Sequence, residues 1–135
     1  MRKSAYNVLR VGTAITFLWI GILIFREPNA WGGFVNPWVL KIVPLSVYQI
    51  VITTAIFNII LGALLLLDTL VWLAALFGAM HMITILLVSG INEITVRDIA
   101  ILSATLALFL ESIPPGSIAL WCRKEVKHIF KPPTP

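Results

Sequence analysis

The chain has 135 residues, 59% hydrophobic and only 12% charged, against roughly 25% charged in an ordinary soluble domain. Its formal charge of +4 does not mark a nucleic-acid binder, because the lysines and arginines gather at the ends of apolar runs, where membrane topology accounts for them. The single cysteine, Cys122, excludes an internal disulfide, a CxxC redox pair and a cysteine-rich metal site.

In chain order, the first apolar run predicts a membrane span at 8–25, with Arg10 near its start and Trp19 inside it. Arg2 and Lys3 precede it as in a signal peptide. The run is too long for one and lacks a small-x-small cleavage site, so it reads as a retained span. Arg26-Glu27-Pro28 ends it, since proline disfavours helix in the residue before it. The following loop, 26–45, is rich in aromatic and turn residues. Trp31, Phe34 and Trp38 have the character of an interfacial belt lying on or dipping into the membrane surface.

The stretch 47–90 is decisive. It holds two uncharged apolar runs broken only by Asp68-Thr69, apart from a titratable His81. Each run is about 30 Å long as a helix, the thickness of a bilayer core. Two such runs fold back as a helical hairpin, giving spans at 46–67 and 69–90. Buried globular helices would need a far larger chain to enclose them.

A polar connection, 91–98, leads to a run of 12 apolar residues between Asp98 and Glu111, about 18 Å of helix and short of a bilayer. A fourth span at 95–113 is therefore expected, with its Arg97-Asp98 end buried against neighbouring helices. Residues 112–121 would lie at the interface before a basic tail at 122–135. Seven lysines and arginines fall on the side of the two termini and three (Arg26, Lys41, Arg97) on the other, which puts both termini in the cytoplasm and requires an even number of spans. The expected architecture is a single all-α domain, a four-helix transmembrane bundle in the plasma membrane. Small-xxx-small pairs, Ala75 and Ala79, Ala100 and Ala104, Ser103 and Ala107, favour close helix packing.

Polar groups inside a membrane need partners or a purpose, and here they form three levels. Arg10, Asp68 and Glu111 lie on the cytoplasmic side, where Arg10 is expected to pair with Asp68 or Glu111 and lock helix ends. Asn58 and His81 fall near mid-membrane at similar depth. His81 reads as a neutral histidine bonded to Asn58 or a backbone carbonyl, or else as a proton relay, a haem ligand or a donor to a quinone carbonyl. Haem is disfavoured, because no second membrane-level histidine exists and His128 lies in the tail. The outer level holds Arg26, Glu27, Lys41, Glu93, Arg97 and Asp98. Arg97 and Asp98 are adjacent and point about 100° apart on a helix, so each is expected to reach a different neighbour. Arg97, Asp98, Arg26, Glu27 and Trp31, with His81 below, are candidates to hold a carbonyl-bearing or anionic head group. The competing reading is a salt-bridge clamp. No nucleophile–base spacing, phosphate-binding glycine loop or metal cluster is present, so no catalytic residue is assigned.

Asn7-Val-Leu-Arg-Val-Gly12, Phe17-Leu-Trp-Ile-Gly21 and the step Arg26-Glu27-Pro28 resemble the first span of the DoxX-like membrane proteins. Val96-Arg97-Asp98 and the aliphatic, small-residue-rich run to Leu108 resemble the Arg-Asp opening of that family's last span. Arg26 stands where lysine is common there, and Pro114-Pro115-Gly116-Ser117 only loosely echoes the family's ending. The resemblance implies a four-helix bundle. It also implies, from some relatives, a membrane subunit of a quinone-linked oxidoreductase working with a soluble redox enzyme or a second membrane subunit. On this reading the chain holds no intrinsic cofactor, a quinone is its expected ligand, and it is not an enzyme on its own. The alternatives are a small-lipid binder or carrier and a purely structural or assembly protein. A homo-oligomer is compatible with all three.

Overall fold

The computed structural model describes residues 1–114. The segment from Pro115 onward, including Cys122, His128 and the basic tail, lies outside the described residues. Six helices lie among the described residues, in chain order α1 (Lys3–Arg26), α2 (Pro28–Gly32), α3 (Val39–Ile42), α4 (Val47–Leu66), α5 (Val71–Ser89) and α6 (Val96–Ser112). No strand occurs among the described residues. α1, α4 and α5 are long and apolar enough to cross a membrane, at about 36, 30 and 28 Å. α1 begins five residues before the expected 8, because hydropathy marks where the apolar stretch starts and the helix continues into its polar flank. α6 spans 17 residues, about 26 Å, and carries Arg97 and Asp98 in its first turn.

The helix ends follow local chemistry. Glu27 closes α1, and Pro28 takes the first position of α2, where its missing N–H is harmless. Ser46 and Gln49 form a reciprocal capping box at the start of α4: the Ser46 Oγ accepts from the Gln49 backbone N–H at 3.2 Å, and the Gln49 Oε1 accepts from the Ser46 N–H at 2.9 Å. The α4–α5 turn lies at Asp68-Thr69 and uses two residues with positive φ, Asp68 at 57° and Leu70 at 47°. Asn92 and Thr95 pin the start of α6. The Asn92 Oδ1 accepts from the N–H of Ile94 and of Thr95, and the Thr95 hydroxyl donates to the Gly90 carbonyl at 2.6 Å.

α1 runs along α4, and α5 along α6, in the two most extensive helix–helix interfaces. Glycine sets the first of these. A Cβ on Gly21 would lie 2.9 Å from the Ala55 carbonyl, and one on Gly62 would lie 2.8 Å from the Leu18 amide nitrogen and 2.9 Å from the Ala14 carbonyl. Ala14 with Gly21, and Ala55 with Gly62, stand seven residues apart, two turns of one face. The small-residue pairs expected to serve packing divide differently. Ala75 and Ala79 are buried, whereas Ala100 and Ser103 face outward. The inward line of α6 is Asp98, Ile101, Thr105 and Leu108, set by its larger apolar residues at helical spacing.

The core is dense in the half nearest the α4–α5 turn. Phe17, Leu65 and Leu108 are fully buried there, and the Phe17 ring would meet a Cβ on Gly78 at 3.2 Å. Outward faces carry large apolar residues such as Trp19, Ile60, Met80 and Leu87. Helices apolar on every side suit a lipid solvent.

Candidate ligand-binding cavity

The other half of the helix assembly, toward α2 and the start of α6, encloses a partly open cavity of about 180 Å³. α1 contributes Ile20 and Ile24 to its wall, α4 the face from Ile50 to Asn58, and α5 the face from His81 to Ser89. Trp31, Phe34 and Val35 cover it from the segment after α1, and Thr95, Arg97 and Asp98 border it at the start of α6. These positions follow from helical phase, since Ile50, Thr54 and Asn58 are four apart, as are His81, Ile85 and Ser89, and each set lies on one stripe.

Its deep end is polar. The Asn58 amide donates to the Thr54 carbonyl at 2.9 Å and lies 3.4 Å from His81 Nε2. Phe57 meets the His81 ring edge-on, with centroids 5.0 Å apart. The Asn58 Oδ1 is buried and has no hydrogen-bond partner among the described residues. An unpaired acceptor in a dry interior costs about 1–3 kcal/mol.

The outer end is charged. Asp98 is buried, while its neighbour Arg97 is half-exposed and reaches it at 3.7 Å. This corrects the expectation that the two would not neutralise each other side by side and that both would be buried. The long arginine stem folds back over the first turn, an option that the Cα directions do not reveal. The same guanidinium lies 6.0 Å from the Trp31 ring centroid, within cation–π range. Trp31 and Phe34 are 6.2 Å apart and turn into the cavity, unlike the exposed Trp38, which alone of the three keeps the character expected of a surface belt.

Of the six head-group candidates, Trp31, His81, Arg97 and Asp98 border one cavity. Arg26 and Glu27 do not: both are exposed. Arg26 stands two residues beyond Ile24, so it projects about 200° away from the inward face. At the opposite end, Arg10 donates to the carbonyls of Leu65 and Leu66 and lies 3.3 Å from Asp68. Glu111 accepts from the N-terminal amine at 2.7 Å. These groups are far from the cavity and tie helix ends together.

Thr95 and Asn36 were not singled out as candidates. Thr95 is almost fully buried at the outer end, and its signal was the Asn92-x-x-Thr95 spacing typical of side-chain caps. The Asn36 Nδ2 donates to the Val88 carbonyl at 2.8 Å and holds the covering segment on α5. No grouping of three or more potential metal ligands occurs among the described residues. Neither a protein-family model, nor a curated protein, nor a solved structure matches the chain.

Proposed function

We propose that the chain is an integral membrane protein that binds the head group of a lipid-soluble, carbonyl-bearing molecule in this cavity, and that it serves as a quinone-interacting accessory subunit of a redox complex. The observation that carries the reading is the convergence of Trp31, His81, Arg97 and Asp98 on one apolar-walled cavity. Ligand sites are mostly apolar with a few convergent polar groups. In this proposal α6 is a fourth span, the four long helices form a bundle in the plasma membrane, and both termini are cytoplasmic, in keeping with the lysine and arginine bias. The motifs of α1 and α6 that resemble DoxX-like proteins point the same way. The redox chemistry is assigned to a partner, a soluble enzyme or a second membrane subunit.

Lipid-extract mass spectrometry on protein purified from its native membrane in mild detergent, beside Arg97→Ala, tests the proposal. A quinone near one per protein, lost in the variant, is the expected result. A different lipid with the same sensitivity would replace the redox subunit by a lipid carrier. Loss of every specific lipid from both samples would leave the outer charges as a structural clamp.

A further inference from the structure

At the outer end of the cavity one polar group is left without a hydrogen bond. The Asp98 carboxyl borders the cavity, and its side chain is only 8% exposed. Buried polar groups are bonded as a rule, because an unmade bond in a dry interior is costly. The donors around Asp98 are spent elsewhere. The Thr95 hydroxyl donates to the Gly90 carbonyl and the Thr95 N–H to the Asn92 Oδ1, while the N–H of Asp98 itself donates to the Thr95 carbonyl at 3.0 Å. Arg97 Nε stands 3.7 Å away, beyond hydrogen-bond length, and its guanidinium lies over the Trp31 ring. The Asp98 carboxyl therefore accepts no hydrogen bond among the described residues, although a carboxylate has room for about four. Arg97 balances its charge and leaves its oxygens unbonded.

We infer that the head group bound here carries a hydrogen-bond donor, an N–H or O–H, beside its carbonyl. Asp98 accepts from that donor while Arg97 donates to the carbonyl. Acyl amides and monoacylglycerols have this pairing, whereas simple esters and ketones lack the donor. A quinone ring meets the requirement only where it bears a hydroxyl or N–H substituent. Arg97 and Asp98 are consecutive at the start of α6 and both border the cavity, so one small head group reaches both, with its chain against the apolar wall. Selectivity follows from the cost of the alternative. A ligand without a donor leaves Asp98 covered and unbonded, and sites built to hydrogen-bond a polar group reject analogues that lack it far more strongly than apolar pockets reject a missing methylene. This inference rests on the head-group reading above and adds a requirement absent from it, since a carbonyl alone needs only Arg97.

The test uses three probes with one acyl chain: N-methyloleamide, methyl oleate and N,N-dimethyloleamide. The ester has the shape of the first without its N–H, and the dimethyl amide keeps the amide carbonyl without the N–H. Retention of isotope-labelled probe by protein-containing over empty nanodiscs gives the affinities, for the wild type, Asp98→Ala and Arg97→Ala. A hydrogen bond to a buried charged group corresponds to about tenfold in affinity or more. The expected result is N-methyloleamide bound about tenfold tighter than either analogue by the wild type, with most of that advantage lost in Asp98→Ala. An advantage that persists undiminished in Asp98→Ala would overturn the inference. Equal affinities for all three in the wild type, all weakened by Arg97→Ala, would also overturn it and leave the head-group reading standing. Retention of none of them would overturn the inference alone if the purified protein still carries an Arg97-dependent lipid, and both readings if it carries none. The three-probe comparison in the wild type decides the matter even if Asp98→Ala does not fold.

Discussion

The Arg10 guanidinium on α1 lies 3.3 Å from the Asp68 carboxylate and also donates to the Leu65 and Leu66 carbonyls at the end of α4. Those carbonyls are among the last acceptors of the helix, beyond its regular ladder, and that of Leu65 also accepts from the Asp68 N–H at 3.4 Å. The guanidinium therefore acts chiefly as a C-terminal cap delivered from another helix, and the ion pair is secondary because Asp68 is largely exposed. Arg10→Met is expected to lower stability by about 2–3 kcal/mol, and Asp68→Asn by at most about 1 kcal/mol. Unfolding midpoints in mild detergent give the ranking. Equal losses would reassign the clamp to the ion pair.

Glycine substitutions separate helix propensity from helix contact. Gly12→Ala meets nothing within 4 Å and is expected to be neutral or to stabilise α1 by up to about 1 kcal/mol. Gly21→Ala and Gly62→Ala each drive a methyl group into backbone atoms of the facing helix and are expected to cost about 1–3 kcal/mol. Circular-dichroism melts of the three variants make the comparison, and a tolerated Gly21→Ala would contradict the α1–α4 interface.

Arg97→Ala is expected to change stability by no more than about 1 kcal/mol, because a half-exposed guanidinium gives a weak ion pair and Asp98 keeps the favourable field of the α6 N-terminus. Ligand retention should nevertheless fall sharply. A loss of about 3–5 kcal/mol, as for breaking a dry pair, would show that Arg97 holds the fold. Thermal midpoint and lipid content measured on the same sample distinguish the two outcomes.

Asn36→Ala removes the bond to the Val88 carbonyl, worth about 1 kcal/mol. Faster amide exchange is expected across residues 28–38, with the protection of α1 and α4 unchanged. Exchange that stays slow in that stretch would mean that Trp31 and Phe34 hold the cover by packing alone.

The sequence carried the coarse architecture well because the 47–90 hairpin is a matter of length and apolarity, and a bilayer leaves the backbone few options. It also placed Asn58 and His81 at one depth by counting residues from the turn, and they meet. It failed where the outcome depends on helix phase or side-chain reach. Arg26 and Glu27 are close to Trp31 in sequence, yet they project away from the cavity. The Arg97 side chain folds back on Asp98, which no residue spacing reveals. The Gly21 and Gly62 contacts were missed because their signal is a seven-residue repeat split over two helices, whereas a search for four-residue pairs finds the outward-facing Ala100 instead.

The dense half around Phe17, Leu65 and Leu108 has a consequence for traffic. The cavity is lined on the side of α2 and the start of α6, while Phe17, Leu65 and Leu108 fill the space toward the α4–α5 turn. On the reading proposed above, a ligand would enter and leave through the leaflet nearer α2, and the packed half would bar it from the other.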